Sequence, residues 1–242
     1  MQTTIVIPCY NEAERLNKDV FLAYLDGHPE VGLVFVNDGS SDRTLELLMA
    51  MAEAHPQVHY LDVQPNGGKA EAVRRGMLHA AEHFHSEYIG FWDADLATPL
   101  YEIDNFLTKA RGHHFDMITG LRLMRLGAQV SRKSSRHYLG RVFATAASVS
   151  LKLPVYDTQC GAKMFVKDVV EDLFRQPFVT NWLFDVELFA RYVQQHGREN
   201  AKTRICEYPL QEWKEVGNSR LKLRDFVFAP YELFKIKRTY KL

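Results

Sequence analysis

The chain has 242 residues, 46% apolar and 25% charged, as in a water-soluble globular protein with a substantial core. It contains no run of about 18 apolar residues, which excludes a membrane-spanning helix. The first residues lack the basic region and cleavage site of a signal peptide, so we expect none. Cys9, Cys160 and Cys206 are too widely spaced for a metal-site pattern, and we expect reduced thiols.

Charge is distributed unequally along the chain, although the net charge is zero. Residues 1–116 carry a net charge of −10, and residues 117–242 carry +10. No acidic residue occurs between positions 117 and 156, where seven lysines and arginines are found. This asymmetry predicts an acidic, metal-binding first half and a second half that meets anions.

Four short apolar runs in the first half are predicted strands, at residues 4–7, 33–36, 58–61 and 88–92. They are rich in β-branched and aromatic residues and are continuously apolar rather than alternating. Such runs are typical of a parallel sheet that is covered on both faces.

Helical patterns separate these strands, at residues 13–25, 42–54 and 69–84. Ser40 and Ser41 precede the second pattern and are good N-cap residues. Strands that alternate with helices predict an α/β fold with right-handed crossovers and a mostly parallel open sheet.

The regular alternation of predicted strands and helices ends after residue 95. Further predicted elements are a helix at 101–111, a strand at 116–119, a basic helix at 132–151, a helix at 184–195 and a strand at 204–208. The last segment, residues 225–238, is aromatic and basic.

Polar clusters follow each of the first four predicted strands, at residues 8–12, 37–42, 65–69 and 93–95. In open α/β sheets, ligands bind beyond the carboxyl ends of the strands. Each cluster alone is also compatible with an ordinary turn or helix cap. Four of them on one edge of the sheet predict a binding site.

Asp93 and Asp95 end the fourth strand with two carboxylates separated by one residue. Hard carboxylate ligands suit Mg²⁺ or Mn²⁺, which retain water and bind substrate phosphates. A metal-bound diphosphate is a good leaving group because the metal neutralises its developing charge. Neither a Gly-x-Gly-x-x-Gly dinucleotide motif nor a Walker motif is present.

The segments IVIPCYNE, VNDGSSD, NGGKAEAVRRGM and DADLATP together closely resemble glycosyltransferase family 2, whose members have the GT-A fold. DTQCGAKMF and WLFDVEL, in the second half, are similar to dolichyl-phosphate β-glucosyltransferases and the related polyprenyl-phosphate mannosyltransferases. The resemblance implies one GT-A domain over residues 1–242. Residues 1–120 would bind the nucleotide sugar, and residues 121–242 would bind the acceptor.

The resemblance also assigns the donor site. Asp95 would hold the divalent metal, although Ala97 stands where the mannosyltransferases often have a metal-binding Gln. Asn37 stands where many relatives have Asp. The implied nucleotide-binding residues are Pro8, Tyr10, Glu12, Asp38, Lys69 and Asp93.

A phosphate acceptor would explain the basic second half, because it is already ionised and needs cations rather than a general base. The cations that the resemblance implies are Arg122, Arg132, Arg136, Lys214 and Arg220. The catalytic set it implies is Asp93, Asp95, Arg122, Arg132, Arg136 and Asp185. Direct attack would invert the anomeric carbon, and the two second-half segments favour UDP-glucose over GDP-mannose.

Two other functions remain open. A sugar hydroxyl acceptor would require Asp185 or Glu187 as a general base, although either could contact sugar hydroxyls or pair with Arg191 instead. The chain could also be a non-catalytic nucleotide-sugar-binding domain, but the intact Asp93 and Asp95 pair argues against this.

A lipid phosphate acceptor requires access to a membrane. Residues 132–151 and 226–241 mix basic with aromatic or aliphatic side chains, as in segments that lie in a membrane interface. We therefore expect a cytoplasmic protein bound peripherally to the cytoplasmic membrane face, and no nucleic acid partner. The alternative is that these apolar residues pack on the core.

Overall fold

A computed structural model describes residues 2–131, 134–216 and 223–242, with side chains described outside 134–139 and 223–227. The strands are β1 (Thr3–Cys9), β2 (Val31–Asp38), β3 (Val58–Val63), β4 (Tyr88–Trp92), β5 (Met117–Leu121), β6 (Gln129–Ser131), β7 (Ala162–Val166), β8 (Ile205–Pro209) and β9 (Glu212–Lys214). The helices are α1 (Lys18–Asp26), α2 (Thr44–Ala54), α3 (Lys69–His83), α4 (Glu102–Gly112), α5 (Ser134–Leu151), α6 (Lys167–Phe174), α7 (Phe184–His196), α8 (Arg198–Arg204) and α9 (Leu223–Tyr240).

A seven-stranded sheet with the order β3-β2-β1-β4-β7-β5-β8 organises the molecule. Strands β1 to β4 are mutually parallel, and β5 is parallel to β8. Strand β7 lies between β4 and β5 and is antiparallel to both. Strands β6 and β9 form a separate two-stranded parallel sheet.

Two apolar cores cover the opposite faces of this sheet. Side chains alternate between the faces along a strand, and in β1 Val6 joins one core while Ile5 and Ile7 join the other. The core around Val6 includes residues of α3, α5, α6, α7 and α9, and the other core includes residues of α1, α2 and α4. The predicted α/β fold, with a mostly parallel sheet and helices on both faces, is confirmed.

The main differences from the predicted elements are local. Helix α1 begins at Lys18 rather than at residue 13, because Glu12 accepts turn hydrogen bonds from the amides of Arg15 and Leu16. Strand β7 was not predicted, nor were α6, α8 and the short β6–β9 pair. Among the described residues, no helix has both the length and the apolar character needed to cross a membrane.

Candidate active site at the carboxyl ends of the strands

A cavity of about 620 Å³ opens where β1, β2 and β4 end. Its far wall comes from α5, from the segment Tyr156–Gln159, and from Asn181, Trp182, Phe184, Asp185, Trp213, Glu215 and Val216. The sequence-predicted residues that line it are Pro8, Tyr10, Glu12, Asp38, Lys69, Asp93, Asp95, Arg122 and Asp185. The fold therefore brings the four polar clusters into one site.

The remaining predicted residues lie elsewhere or outside the described part of the chain. Lys214 is largely exposed and pairs with Glu212 at 2.7 Å, and it does not line the cavity, although its neighbours Trp213 and Glu215 do. Arg132 and Arg220 lie outside the described residues, as does the side chain of Arg136. Their roles remain predictions.

Lys69 is the first residue of α3, and its ammonium forms an ion pair with Asp93. Burial alone would lower the pKa of Lys69, but the carboxylates of Asp93, Asp185 and Asp95 outweigh it and raise that pKa. Lys69 therefore stays charged in the cavity and faces three acidic groups.

Asp95 is the residue that was predicted to hold a divalent cation. Burial and then the charge of Asp93 raise the pKa of its carboxyl group, and its Oδ1 accepts a hydrogen bond from the Ala97 amide at 3.0 Å. A bound cation would remove this repulsion. Among the described residues no group of three or more His, Cys, Asp or Glu could hold a metal ion. Water or a substrate phosphate would have to supply further ligands.

Gly161, just before β7, allows Asp93 to occupy its place. A Cβ atom at Gly161 would lie 1.9 Å from Asp93 Oδ2. The carbonyl of Gly161 also accepts a hydrogen bond from the Asp93 amide at 3.1 Å. The antiparallel course of β7 brings its start beside the end of β4, which makes this contact possible.

Asp38, at the end of β2, organises the loop that precedes α3. Its carboxylate accepts hydrogen bonds from the amides of Gly67 at 2.8 Å and Gly68 at 2.9 Å, and from the Asn66 side chain at 3.0 Å. The side chain is buried but lines the cavity. Asp38 therefore positions this loop, and its predicted contact with the nucleotide base remains a prediction.

The loop after β1 is held against the loop after β2. The Glu12 amide donates to Thr44 Oγ1 at 2.8 Å, the Asn11 amide donates to Ser40 Oγ at 3.0 Å, and Asn11 Oδ1 accepts from the Ser41 amide at 2.8 Å. Tyr10, the residue before Asn11, lines the cavity. The segment that was predicted to contact the nucleotide thus has a fixed backbone.

Arg122 lines the cavity as part of an ion pair. Its Nε and Nη2 each donate to Asp157 at 2.7 Å, in the bidentate geometry of strong arginine–carboxylate pairs. The guanidinium also lies 5.3 Å from the centre of the Trp213 ring. The charge that was predicted for an acceptor phosphate is therefore already balanced by one carboxylate.

Asp185 and Glu187, both in the first turn of α7, have different surroundings. Asp185 lines the cavity, and its Oδ1 accepts a hydrogen bond from the ammonium of Lys163 at 2.6 Å. Glu187 is fully buried and accepts from Arg191 Nη2 at 2.7 Å, from the Thr180 hydroxyl at 3.0 Å and from Tyr240. Pairing with Arg191 is therefore the correct alternative for Glu187.

Several residues that line the cavity were not predicted as site residues, among them Arg141, Phe143, Tyr156 and Trp182. Arg141 stacks on the ring of Tyr156 at 3.3 Å from its centre and donates to the Tyr156 carbonyl at 3.2 Å. Phe143 packs on Trp182 at 5.6 Å between ring centres. The acid-free stretch signalled Arg141, but nothing in the sequence indicated that Tyr156 would lie beneath it.

Comparison with known proteins is consistent with this geometry. The sequence matches the profile "Glycosyl transferase family 2" over residues 4–174. A dolichyl-phosphate β-glucosyltransferase, ALG5C of Trichomonas vaginalis, is 32% identical over 97% of this chain and 70% of its own length. The dolichyl-phosphate β-glucosyltransferase of Saccharomyces cerevisiae is 26% identical over 99% of this chain and 75% of its own.

Solved structures support the fold. Glucosyl-3-phosphoglycerate synthase of Mycobacterium tuberculosis, in complex with phosphoglyceric acid, superimposes with a TM-score of 0.71 at 15% identity, over 99% of this chain and 79% of that one. The same enzyme with Mn²⁺, UDP-glucose and phosphoglyceric acid gives a TM-score of 0.70 over the same shares. The GT-A fold expected from the sequence is confirmed.

Proposed function

This chain belongs to glycosyl transferase family 2 and is a hexosyltransferase, and we propose that it moves glucose from UDP-glucose to dolichyl phosphate or another polyprenyl phosphate. Relatives named for dolichyl-phosphate glucosyl transfer align with nearly the whole chain. The oxygen of the acceptor phosphate attacks the anomeric carbon directly, and the α-linked donor gives a β-linked lipid phosphosugar.

The donor binds at the ends of β1, β2 and β4, where the carboxylates and Lys69 line the cavity. Lys69 donates to the diphosphate, and Asp38 keeps the loop that starts α3 in place for it. Asp95 fits Mg²⁺ or Mn²⁺, because the cation offsets the repulsion between Asp95 and Asp93. When bound, the metal neutralises the charge that develops on the departing nucleoside diphosphate.

One feature of the cavity favours a phosphate acceptor over a sugar hydroxyl. A hydroxyl must lose its proton to a base, and the sequence offered Asp185 or Glu187 for that role. Lys163 already donates to Asp185 Oδ1 at 2.6 Å, and Glu187 is fully buried away from the cavity lining. A phosphate acceptor needs no base, so neither carboxylate has to act as one.

We also propose that the lipid is reached by peripheral binding to the cytoplasmic membrane face. On α9, Leu233 and Ile236 are buried, whereas Phe228, Tyr231 and Phe234 are about 60% exposed along one stripe. The basic residues that follow them on or near this helix are Lys235, Lys237, Arg238 and Lys241. Aromatic side chains that enter the interface beside such cations suit an anionic surface.

The test is transfer of radiolabelled sugar into an organic-extractable product. The purified protein is incubated with Mn²⁺, dolichyl phosphate and either UDP-glucose or GDP-mannose. We expect a β-linked glucosyl phospholipid from UDP-glucose only. Mannosyl lipid from GDP-mannose alone would contradict the choice of sugar. Transfer to a glycan hydroxyl, with none to the lipid, would contradict the choice of acceptor.

A further inference from the structure

Lys163 is a fully buried lysine in β7 that bonds to Asp185, a residue of the cavity lining. Its ammonium donates to the Cys160 carbonyl at 2.6 Å and to Asp185 Oδ1 at 2.6 Å. The same nitrogen lies 5.5 Å from the centre of the Phe91 ring, on the neighbouring strand β4. Three segments of the site, from β4, β7 and α7, therefore meet at one buried cation.

Stability alone does not account for this ion pair. Removing two charges from water costs several kcal/mol per ion, and well-packed apolar residues in place of a buried pair are often about as stable or more stable. A buried lysine is rare unless it is paired, and this one pairs with a carboxylate that lines the cavity. The burial of Lys163 in the core beside this carboxylate indicates a function at the site.

Both hydrogen-bond acceptors of Lys163 connect to the site. The Cys160 carbonyl immediately precedes Gly161, whose backbone contacts Asp93. Asp185 is held by one oxygen only, and among the described residues no hydrogen-bond donor to its Oδ2 is found. A carboxylate fixed through one oxygen can accept a ligand hydroxyl with the other.

We propose that Lys163 is a positioning residue that orients Asp185 to accept hydrogen bonds from the hydroxyls of the transferred hexose. This inference rests on the proposed nucleotide-sugar donor but not on the identity of the acceptor. Lys163 does not contact the substrate and acts through Asp185. The pair therefore contributes to recognition of the sugar and not of the nucleotide.

The experiment compares calorimetric dissociation constants for UDP-glucose and for UDP, which lacks the sugar. Asp185→Asn and Lys163→Met are each expected to weaken UDP-glucose binding about tenfold relative to UDP, the size of one hydrogen bond to a charged group. Arg191→Met is the matched control, because it breaks a buried arginine–carboxylate pair with Glu187, outside the cavity lining. The control is expected to lower the melting temperature and leave the ratio of the two constants unchanged.

A double variant covers the case in which Lys163→Met leaves Asp185 unpaired and fails to fold. Lys163→Met combined with Asp185→Asn removes both charges and is expected to match Asp185→Asn alone, because both residues act through one carboxylate. A further tenfold loss in the double variant would overturn the proposal. So would equal weakening of UDP and UDP-glucose.

The choice of donor is tested separately. If wild-type protein binds GDP-mannose and not UDP-glucose, the proposed sugar is wrong, and the same comparison is made with GDP-mannose and GDP. A changed ratio in that pair still supports the role of Lys163. If Asp185→Asn leaves the ratio of the two dissociation constants unchanged with both pairs of ligands, the proposal is refuted.

Discussion

Two regions of the cavity differ in their charge and hydrogen bonding. The donor rim, where we propose that the nucleotide sugar binds, is formed by Pro8–Glu12, Asp38, Asn66–Lys69 and Asp93–Asp95. The acceptor wall, where we propose that the acceptor binds, is formed by Arg122, Gly140–Ala144 and Tyr156–Gln159. Backbone amides donate hydrogen bonds to carboxylates of the donor rim, as at Asp38. These amides carry no positive charge, so the rim keeps an excess of negative charge, and burial together with this charge raises the pKa of Asp95. On the acceptor wall, Asp157 balances Arg122. We expect the acidic rim to take up a cation together with its ligand, whereas the charge of Arg122 on the wall can reach a ligand only if its pair with Asp157 rearranges.

The largest expected effect comes from Asp95→Asn on the donor rim. Loss of this carboxylate should lower the rate of transfer by about 10²-fold or more, because removing one group that stabilises the charge developing in the transition state has an effect of this size. The pKa of Asp95 is higher in the folded protein than in the unfolded chain, so its ionised carboxylate lowers the free energy of unfolding at neutral pH. This destabilisation disappears as the pH falls and the carboxylate is protonated. The variant should therefore have a higher melting temperature in chelator at neutral pH.

The loss of transfer is measured as turnover with Mn²⁺. The higher melting temperature is measured by thermal unfolding in the presence of a chelator. Asp172→Asn, at a half-exposed carboxylate outside the cavity lining, is the control. A fully active Asp95→Asn enzyme that a chelator does not inhibit would show that the donor rim needs no cation.

The next largest effect is expected for Gly161→Ala. The added Cβ would lie 1.9 Å from Asp93 Oδ2, so the carboxylate or β7 must move. A displacement of about 1 Å at a reacting site costs roughly 10²-fold in rate. Steady-state kcat is the measurement. Gly112→Ala is the control, because its Cβ would meet no atom within 4 Å. Equal activities of the two variants would mean that the position of Asp93 does not matter.

A smaller effect is expected on the acceptor wall. Arg122→Lys keeps the charge but loses the bidentate bond to Asp157. We expect kcat/KM for the lipid phosphate to fall about tenfold, the value of one charge-assisted hydrogen bond. Hydrolysis of UDP-glucose by water should persist. An equal loss of both activities would place Arg122 with the donor rim and remove the distinction between the two regions.

The smallest effect concerns the outer face of α9. Serine at Phe228, Tyr231 and Phe234 should weaken cosedimentation with anionic liposomes, since about 60% of each side chain is exposed. Transfer to a short water-soluble polyprenyl phosphate should be unchanged. Higher salt should weaken binding of the wild-type protein. Equal recovery of both proteins with anionic and neutral liposomes would contradict a membrane role for this face.

The donor rim was largely predictable because its signals are local. Strands β1 to β4 are continuous apolar runs, and in a parallel sheet their carboxyl ends must share an edge. The sequence therefore placed Asp93 near Lys69 without any knowledge of contacts. The task of Asp38 was less predictable, because one carboxylate can serve either a ligand or the Gly67 and Gly68 amides.

The acceptor wall was less predictable because its partners are distant in sequence. Arg122 pairs with a residue 35 positions away, and the Asp157 amide bonds to Glu207, 50 positions further on. Strand β7 was missed because Lys163 interrupts its apolar pattern, and its burial depends on Asp185 in another element. A pattern along the chain does not contain such pairings.

The antiparallel insertion of β7 has a consequence for the order in which the chain can assemble. The described neighbours of β5 are β7 and β8, so β5 has no strand to join among residues 1–121. During synthesis, β1 to β4 can pair as soon as they emerge, but β5 must wait until residues 162–166 leave the ribosome. Residues 121–242, which would bind the acceptor, therefore also complete the sheet beneath the proposed donor site. A fragment ending at residue 120 would expose the edge of β4 as a site for aggregation.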